Sequence, residues 1–401
     1  MNLDQLFELD RLAKEDSRKY NKNRGIYRDI TDDSGPHFLG IVGPRGVGKT
    51  VILKQLASTH ERSFYVSLDA MEGSLFDLVK TLYETMRMKV FLLDEVHFYP
   101  SFEADLKKIY DYFDIKVIFT SSVALGMYES GYDLSRRVLL KNLYPFSLGE
   151  YAFFKYGQEY PVLTIHDIVK KNIPVEALKA GEHFIPYLKG GLMPFALEEP
   201  RPLPLLRNIL NTIIYKDIPR IGRLLTEELD KIDRLVRFIG LSGIDGINAS
   251  SLAANVHITK YKAEQYLTLL ERAFVLHRVM PMGSNVLKEP KIVMALPYRL
   301  LFRPFDEIVG GLREDFFVEA VKALGKDIFY LKSTRGRKTP DYLICDFEDV
   351  VFEIGGKGKG RSQFKGIGVH NKVILSDGYE MRDIRRPLFL MGLVQKSDRH
   401  Y

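Results

Sequence analysis

A chain of 401 residues exceeds one ordinary core at roughly 100–200 residues per domain, so two or three domains are expected. With 46% hydrophobic and 27% charged residues, and no apolar run near the roughly 18 residues that a membrane helix needs, the composition excludes a helical membrane protein and predicts a soluble one. A net charge of +6 is compatible with a polyanionic partner without requiring one, and the single cysteine, Cys345, excludes an internal disulfide and fits a reducing, cytoplasmic location.

Met1 to Lys19 carries Asp4, Glu8, Asp10 and Glu15 among periodic apolar positions, which predicts an amphipathic helix and not a secretory signal. From Pro36 to about Tyr144, short apolar runs (HFLGIV, SFYVSL, KVFLLD, IKVIFTSS) alternate with helical stretches (VILKQLAS, SLFDLVKTLYETM). This alternation predicts an α/β domain with a central parallel sheet. Beyond Pro145 the strand pattern ends, and Pro200, Pro202 and Pro204 are expected to break the chain before NILNTIIYKDI. From Leu229 to Met282 the order is a helix, a turn through Gly243 and Gly246, a short helix from near Asn248 and a longer one from Thr259 to Ala273. The apolar run VLHRV follows, and the whole predicts a winged helix-turn-helix. After Gly310, a helix and strands around IFYLK, DYLICDF and VVFEIGG predict a further α/β domain.

The segment Gly43, Pro44, Arg45, Gly46, Val47, Gly48, Lys49, Thr50 has the G-x-x-x-x-G-K-[ST] pattern between an apolar strand and a helix, the context in which such loops cradle phosphates. Its glycines let backbone N–H groups turn inward, Lys49 would neutralise the β- and γ-phosphates of ATP, and the Thr50 hydroxyl would hold Mg2+. Further on, VFLLDE carries Asp94 and Glu95 at the end of a buried strand, the edge at which ligands bind in such sheets. Asp94 is expected to orient the magnesium through water and Glu95 to act as general base on the attacking water. The next strand ends in Thr120, Ser121 and Ser122; a hydroxyl there, Ser121 the candidate, would contact the water or the γ-phosphate, the alternative being a turn that favours serine. Arg136 and Arg137 follow as candidates for a γ-phosphate contact within the chain or across to a neighbouring one.

GPRGVGKT, FLLDEVH, the Ser135-Arg136-Arg137 run before LYPFSLGEY, and the later helix-turn-helix to GGLREDFF region together resemble the AAA-type P-loop ATPases of bacteria and archaea that carry a C-terminal PD-(D/E)XK nuclease-like domain of unknown function. The resemblance implies an ATPase domain with its N-terminal helix over residues 1–150 and a helical lid or connector over 151–225. A winged helix-turn-helix over 226–300 and the nuclease-like domain over 301–401 would follow. It raises Arg137 above Arg136 as the arginine near the nucleotide, and marks Lys189 to Pro194 and Ile213 to Ile218 as lid hallmarks. In the winged helix, Asn248 is expected to be an N-cap, and Tyr266, Leu267, Leu270 and Phe274 to form the core side of the longer helix.

Lys260 and Lys262 at the start of that helix are candidate phosphate contacts, with a packing or protein-binding module as the alternative to DNA binding. From the resemblance, Glu314, Asp341 and Glu353 are candidates for a second metal site in the C-terminal domain, but Gly355 stands at the expected lysine position. Lys357 and Lys359 remain as a basic strip for a nucleic acid. The expected function is therefore a magnesium-dependent ATPase coupled to DNA or protein engagement. A nucleotide-gated switch with little turnover, and an ATP-regulated nuclease, are the alternatives.

Overall fold

The computed structural model describes residues 3–69, 71–124, 134–222, 224–243, 247–283, 289–331, 340–345, 348–355, 364 and 368–395. Two compact units divide the chain, Met1–Tyr144 and Pro145–Tyr401.

In the first unit, α1 (Leu3–Asp16) and α2 (Gly25–Thr31) precede β1 (Phe38–Val42). Then come α3 (Lys49–Thr59), β2 (Ser63–Ser67), α4 (Leu75–Met86), β3 (Val90–Asp94), α5 (Phe102–Tyr112), β4 (Lys116–Ser121) and β5 (Val138–Asn142). The five strands are parallel in the order β2-β3-β4-β1-β5. The continuous apolar runs read as central strands are buried on both faces, as in FLGIV of β1; Phe38, Phe64, Leu93 and Phe119 are at most 1% exposed, each burial contributing about 1.5–3 kcal/mol. Register matters more for the site. Val42 pairs with Ser121 and Ser67 with Asp94, so β1, β3 and β4 deliver their last residues to one edge of the sheet. β2 is an outer strand, and α1 closes its open side: the Asp10 carboxylate accepts the Tyr65 N–H at 2.8 Å and Lys14 Nζ donates to Ser63 O at 2.8 Å.

The second unit starts with α6 (Leu148–Tyr156), whose Ser147 cap and Glu150 form a reciprocal capping box. Short helices α7 (Ile165–Lys170), α8 (Val175–Leu178) and α9 (Phe184–Pro186) follow, then α10 (Pro202–Thr212) and α11 (Ile218–Gly222). Pro200 falls in the non-helical stretch before α10, but Pro202 and Pro204 do not act as breakers: they lie in its first turn, where a missing N–H would have had no helical partner anyway. The two lid hallmarks both overlap π-helical turns, Tyr187–Gly191 and Ile213–Asp217, and Gly190 has a φ of 114°.

Next come α12 (Thr226–Leu241), α13 (Ala249–Val256) and α14 (Lys260–Arg272), then an antiparallel pair, β6 (Leu276–Pro281) and β7 (Lys291–Met294). Asn248 caps α13 by accepting the Ser251 N–H at 2.9 Å. Tyr266, Leu267 and Leu270 are buried as expected. Phe274 is not on the helix; it falls past the end of α14 with a φ of 57° and is half-buried. The chain continues through α15 (Phe305–Ala323), β8 (Asp327–Tyr330), β9 (Tyr342–Cys345), β10 (Val350–Ile354), β11 (Asn371–Ser376) and β12 (Arg385–Pro387). Because β6 also pairs in parallel with β8, the hairpin is continuous with the C-terminal strands in one mixed seven-stranded sheet, β12-β11-β10-β9-β8-β6-β7. No helix among the described residues is long and apolar enough to cross a membrane.

Candidate nucleotide site

After Val42 the chain turns through Gly43–Gly48 into α3. Gly46 and Gly48 take φ of 82° and 91°, left-handed values that a side chain would strain. Gly43 is fixed by proximity instead: a β-carbon there would lie 2.0 Å from the carbonyl oxygen of Leu143, just beyond β5. Gly48, the N-cap of α3, supplies no side-chain hydrogen bond, so the first-turn N–H groups stay available to an anion along with the positive end of the helix. Lys49 is 5% exposed, and its ammonium donates to the carbonyls of Gly43 at 2.7 Å and Pro44 at 2.8 Å, folded into the loop's own concavity. Arg24, which the sequence reading did not single out, holds the loop from behind by donating to Val47 O at 3.1 Å and Tyr144 O at 2.9 Å.

At the end of β3, Asp94 is 3% exposed and accepts one hydrogen bond on each oxygen: Oδ2 from the Tyr65 hydroxyl at 2.9 Å and Oδ1 from the Thr120 hydroxyl. Burial, reinforced by the Asp94 charge, pushes the Tyr65 phenol far above its ordinary range, so it stays a neutral donor. Each oxygen of Asp94 keeps further acceptor capacity for metal-bound water. Glu95 turns out of the strand line with a φ of 53°, its N–H bonded to Thr120 Oγ1 at 3.0 Å. The Ser122 hydroxyl lies 3.1 and 3.3 Å from the two Glu95 oxygens, His97 Nδ1 is 3.3 Å from Oε2, and the guanidinium of Arg45 in the loop is 3.7 Å from Oε1. The Glu95 carboxylate, the Lys49 ammonium and the glycine loop therefore meet at one sheet edge, the loop held close to β5 by a Gly43 that has no room for a β-carbon. With Thr50 and Asp94 there as oxygen donors, these residues fit ATP with Mg2+.

Residues 36–152 match the family model of an AAA domain, and residues 181–295 match a domain of unknown function, DUF8612. The first unit carries an AAA-type P-loop domain. An uncharacterized protein of Methanocaldococcus jannaschii is 28% identical over 364 residues, 81% of this chain and 77% of that protein. Among solved structures, the RuvB Holliday junction branch migration motor of Thermotoga maritima aligns at 14% identity over 70% of this chain and 90% of that one, with a TM-score of 0.28. PCH-2 of C. elegans aligns at 20% identity over 51% and 62%, with a TM-score of 0.28. Neither likeness bears on what this AAA domain acts upon.

Within the AAA domain the loop residues, Asp94 and Glu95 lie at one sheet edge, while two other candidate residues lie elsewhere. Ser121 is turned away: its hydroxyl donates to Val123 O at 2.7 Å and accepts the Val123 N–H at 3.1 Å, closing a local turn. Side chains alternate along a strand, so Thr120 and Ser122, not Ser121, face the carboxylates. Arg137 lies at the opposite end of the strands from the loop, where its carbonyl accepts the N–H of Phe38, the first residue of β1. Its guanidinium pairs with Asp111 at 2.9–3.0 Å, so it is not part of its own chain's phosphate site.

Outside the AAA domain, the second metal site is not assembled: among the described residues no three His, Cys, Asp or Glu side chains group as metal ligands. Glu314 accepts from Lys291 Nζ and from the Tyr342 hydroxyl, each at 2.7 Å, while Asp341 Oδ2 accepts the Ile354 N–H at 2.7 Å. Glu353 is 1% exposed on β10. Glu314 instead lines, with Arg299, Arg303 and Arg313, a cavity of about 350 Å3. Lys260 pairs with Glu289, and Lys262 with Glu228 at 2.5 Å. Lys357 and Lys359 lie outside the described residues.

Proposed function

We propose that the protein is a magnesium-dependent ATPase, converting ATP to ADP and phosphate, whose nucleotide state controls how the second unit engages a partner. The observation that carries this reading is the Glu95 carboxylate, oriented by Ser122 and within 3.7 Å of Arg45 on the phosphate loop. Loop N–H groups and Lys49 would bind the phosphates, and the Thr50 hydroxyl, with Asp94 acting through water, would hold Mg2+, which would supply charge neutralisation at the phosphates. Glu95 takes a proton from the attacking water as the new bond to the γ-phosphorus forms and the bridging oxygen leaves with ADP.

The three helices and hairpin of the second unit we read as a winged helix. Both lysines at the start of its third helix are already matched with carboxylates, which favours a protein partner over base reading in DNA. The C-terminal sheet we read as a nuclease-like fold kept for binding, since Glu314 and Asp341 are spent on neighbouring groups. A nucleotide-gated switch with little turnover is the second reading, favoured by the contacts of Arg45 and His97 that restrain Glu95.

The test is steady-state ATP hydrolysis and ATP affinity of wild type and Glu95→Gln, with magnesium, each with and without duplex and single-stranded DNA. Turnover in wild type and a loss of about 10²–10⁴-fold in a variant that still binds ATP supports the ATPase. Binding without hydrolysis in both selects the switch, and no ATP binding by wild type sinks both readings. Stimulation by DNA would reverse the preference for a protein partner.

A further inference from the structure

We infer that Tyr65 is a positioning residue for the metal-orienting carboxylate of Asp94, and that the N-terminal helix α1 sets Tyr65 in place; this rests on the reading of the site as one for ATP and Mg2+.

The register supplies the geometry. Tyr65 pairs with Leu92, two residues before Asp94, so Tyr65, Leu92 and Asp94 share one face of the sheet. Asp94 is thus the diagonal neighbour of Tyr65 on the adjacent strand, a separation that a tyrosine side chain spans and smaller strand residues do not. The phenol ends 2.9 Å from Asp94 Oδ2, while the Thr120 hydroxyl holds Oδ1. Two donors, one per oxygen, fix the plane of the carboxylate, and removing either releases a rotation. Packing alone does not call for the hydroxyl. Phe64, the preceding residue of the strand, is fully buried without one.

The other end of Tyr65 is held from outside the sheet. β2 is an outer strand, so the Tyr65 N–H on its open side has no neighbouring strand, and Asp10 of α1 accepts it at 2.8 Å. One turn further along α1, Lys14 donates to Ser63 O and to Asp10 Oδ2, both at 2.8 Å, locking the acceptor while satisfying the strand's carbonyl. Thus α1 grips the backbone of the residue whose side chain grips Asp94, and a displacement of α1 is passed to the carboxylate through one tyrosine.

The experiment follows equilibrium binding of a fluorescent ATP analogue to wild type, Tyr65→Phe and Asp10→Ala, first in chelator and then through a Mg2+ titration, with melting temperature and turnover recorded alongside. For Tyr65→Phe we expect metal-free affinity within about twofold of wild type and a Mg2+ half-point raised by about tenfold, with turnover recovering at excess Mg2+. Asp10→Ala should move the half-point in the same direction by less. An unchanged Mg2+ half-point in Tyr65→Phe overturns the proposal, as does a parallel loss of metal-free and metal-dependent binding, which a merely structural role would give. A shift in Tyr65→Phe with none in Asp10→Ala overturns the part assigned to α1. Failure of wild type to bind the analogue in any condition instead brings down the ATP-site reading itself.

Discussion

The hydroxyl of Ser122 lies 3.1 Å from one oxygen of Glu95 and 3.3 Å from the other, while the hydroxyl of Ser121, next to it in the chain, faces the opposite way into its own turn. A hydrogen bond to a charged group contributes about 1.5–3 kcal/mol, and about 1.4 kcal/mol is tenfold in rate. If Glu95 is the general base proposed above, Ser122→Ala should therefore lower kcat by about tenfold or more with ATP affinity near wild type, since Ser122 bonds the Glu95 carboxylate and no loop residue. Ser121→Ala should leave kcat near wild type and cost only stability. Steady-state kinetics of the two alanine variants side by side make the comparison; equal losses of kcat would refute the assignment.

Arg137 tests where the arginine works. Buried against Tyr110 and paired with Asp111 at the far end of the strands, it has no route to the phosphates of its own chain. Arg137→Ala should leave single-chain ATP affinity unchanged and cost about 1 kcal/mol or somewhat more in stability, the pair being only partly shielded from solvent. Titration of ATP at low protein concentration reads the affinity. Specific activity followed upward in protein concentration reads any role on a neighbouring molecule: a rise in wild type that is missing from the variant would assign Arg137 to a second copy's site, and a loss of affinity at low concentration would contradict the position described.

The phosphate loop was legible because its sequence pattern is itself a statement about backbone: glycines where φ must be positive, then lysine at the helix start. The reason for Gly43 was not legible, because the carbonyl it would strike belongs to Leu143, brought beside it only by the pairing of β5 with β1. A run of three hydroxyl residues carries no parity signal, and which of Thr120, Ser121 and Ser122 faces the carboxylates depends on the alternation that register imposes. Lys260 and Lys262 looked like free cations for the same kind of reason. Their carboxylates, Glu289 and Glu228, are distant in sequence and meet them only in the folded unit. The sequence's division at 226–300 likewise could not register that β6 would pair with β8 and carry the hairpin into the C-terminal sheet.

Glu228 links α12 to α14. Lys262, the Leu225 N–H and the Tyr266 hydroxyl all donate to its carboxylate, and these bonds, Lys262 foremost, hold its pKa down to about 2. A depressed carboxylate stabilises the fold above its unfolded pKa of about 4.3, and the contribution disappears as pH falls from there through about 2. Denaturant unfolding from pH 7 down to pH 2 should show this loss in wild type and a shallower one in Glu228→Gln, a difference of about 1 kcal/mol for a group at the surface. Identical pH profiles would refute the link. Because Lys262 is committed here and Lys260 to Glu289, the double change to alanine should leave DNA affinity and its salt dependence nearly as in wild type; a salt slope reduced by about two would show that both lysines contact phosphate.

The most costly single change in the second unit should be at Asp315. Its carboxylate, fully buried on α15, receives Nε of Arg299 at 2.5 Å and the second guanidinium branch at 2.9 Å, while Arg299 also donates to Ser242 O at 3.2 Å near the end of α12. Gly311 lies against this guanidinium, 3.1 Å from a β-carbon position to Nε, so the helix approaches closely only because that residue lacks a side chain. Asp315→Ala leaves an arginine buried without its countercharge and should cost about 3–5 kcal/mol, whereas replacing both members by apolar residues of similar volume should cost much less, because neither charge then has to be desolvated. Urea unfolding of the two single variants and the double one, treated as a cycle, gives the answer. If the double variant loses as much as the sum of the singles, the pair is not the tie between α12 and α15 that its geometry indicates.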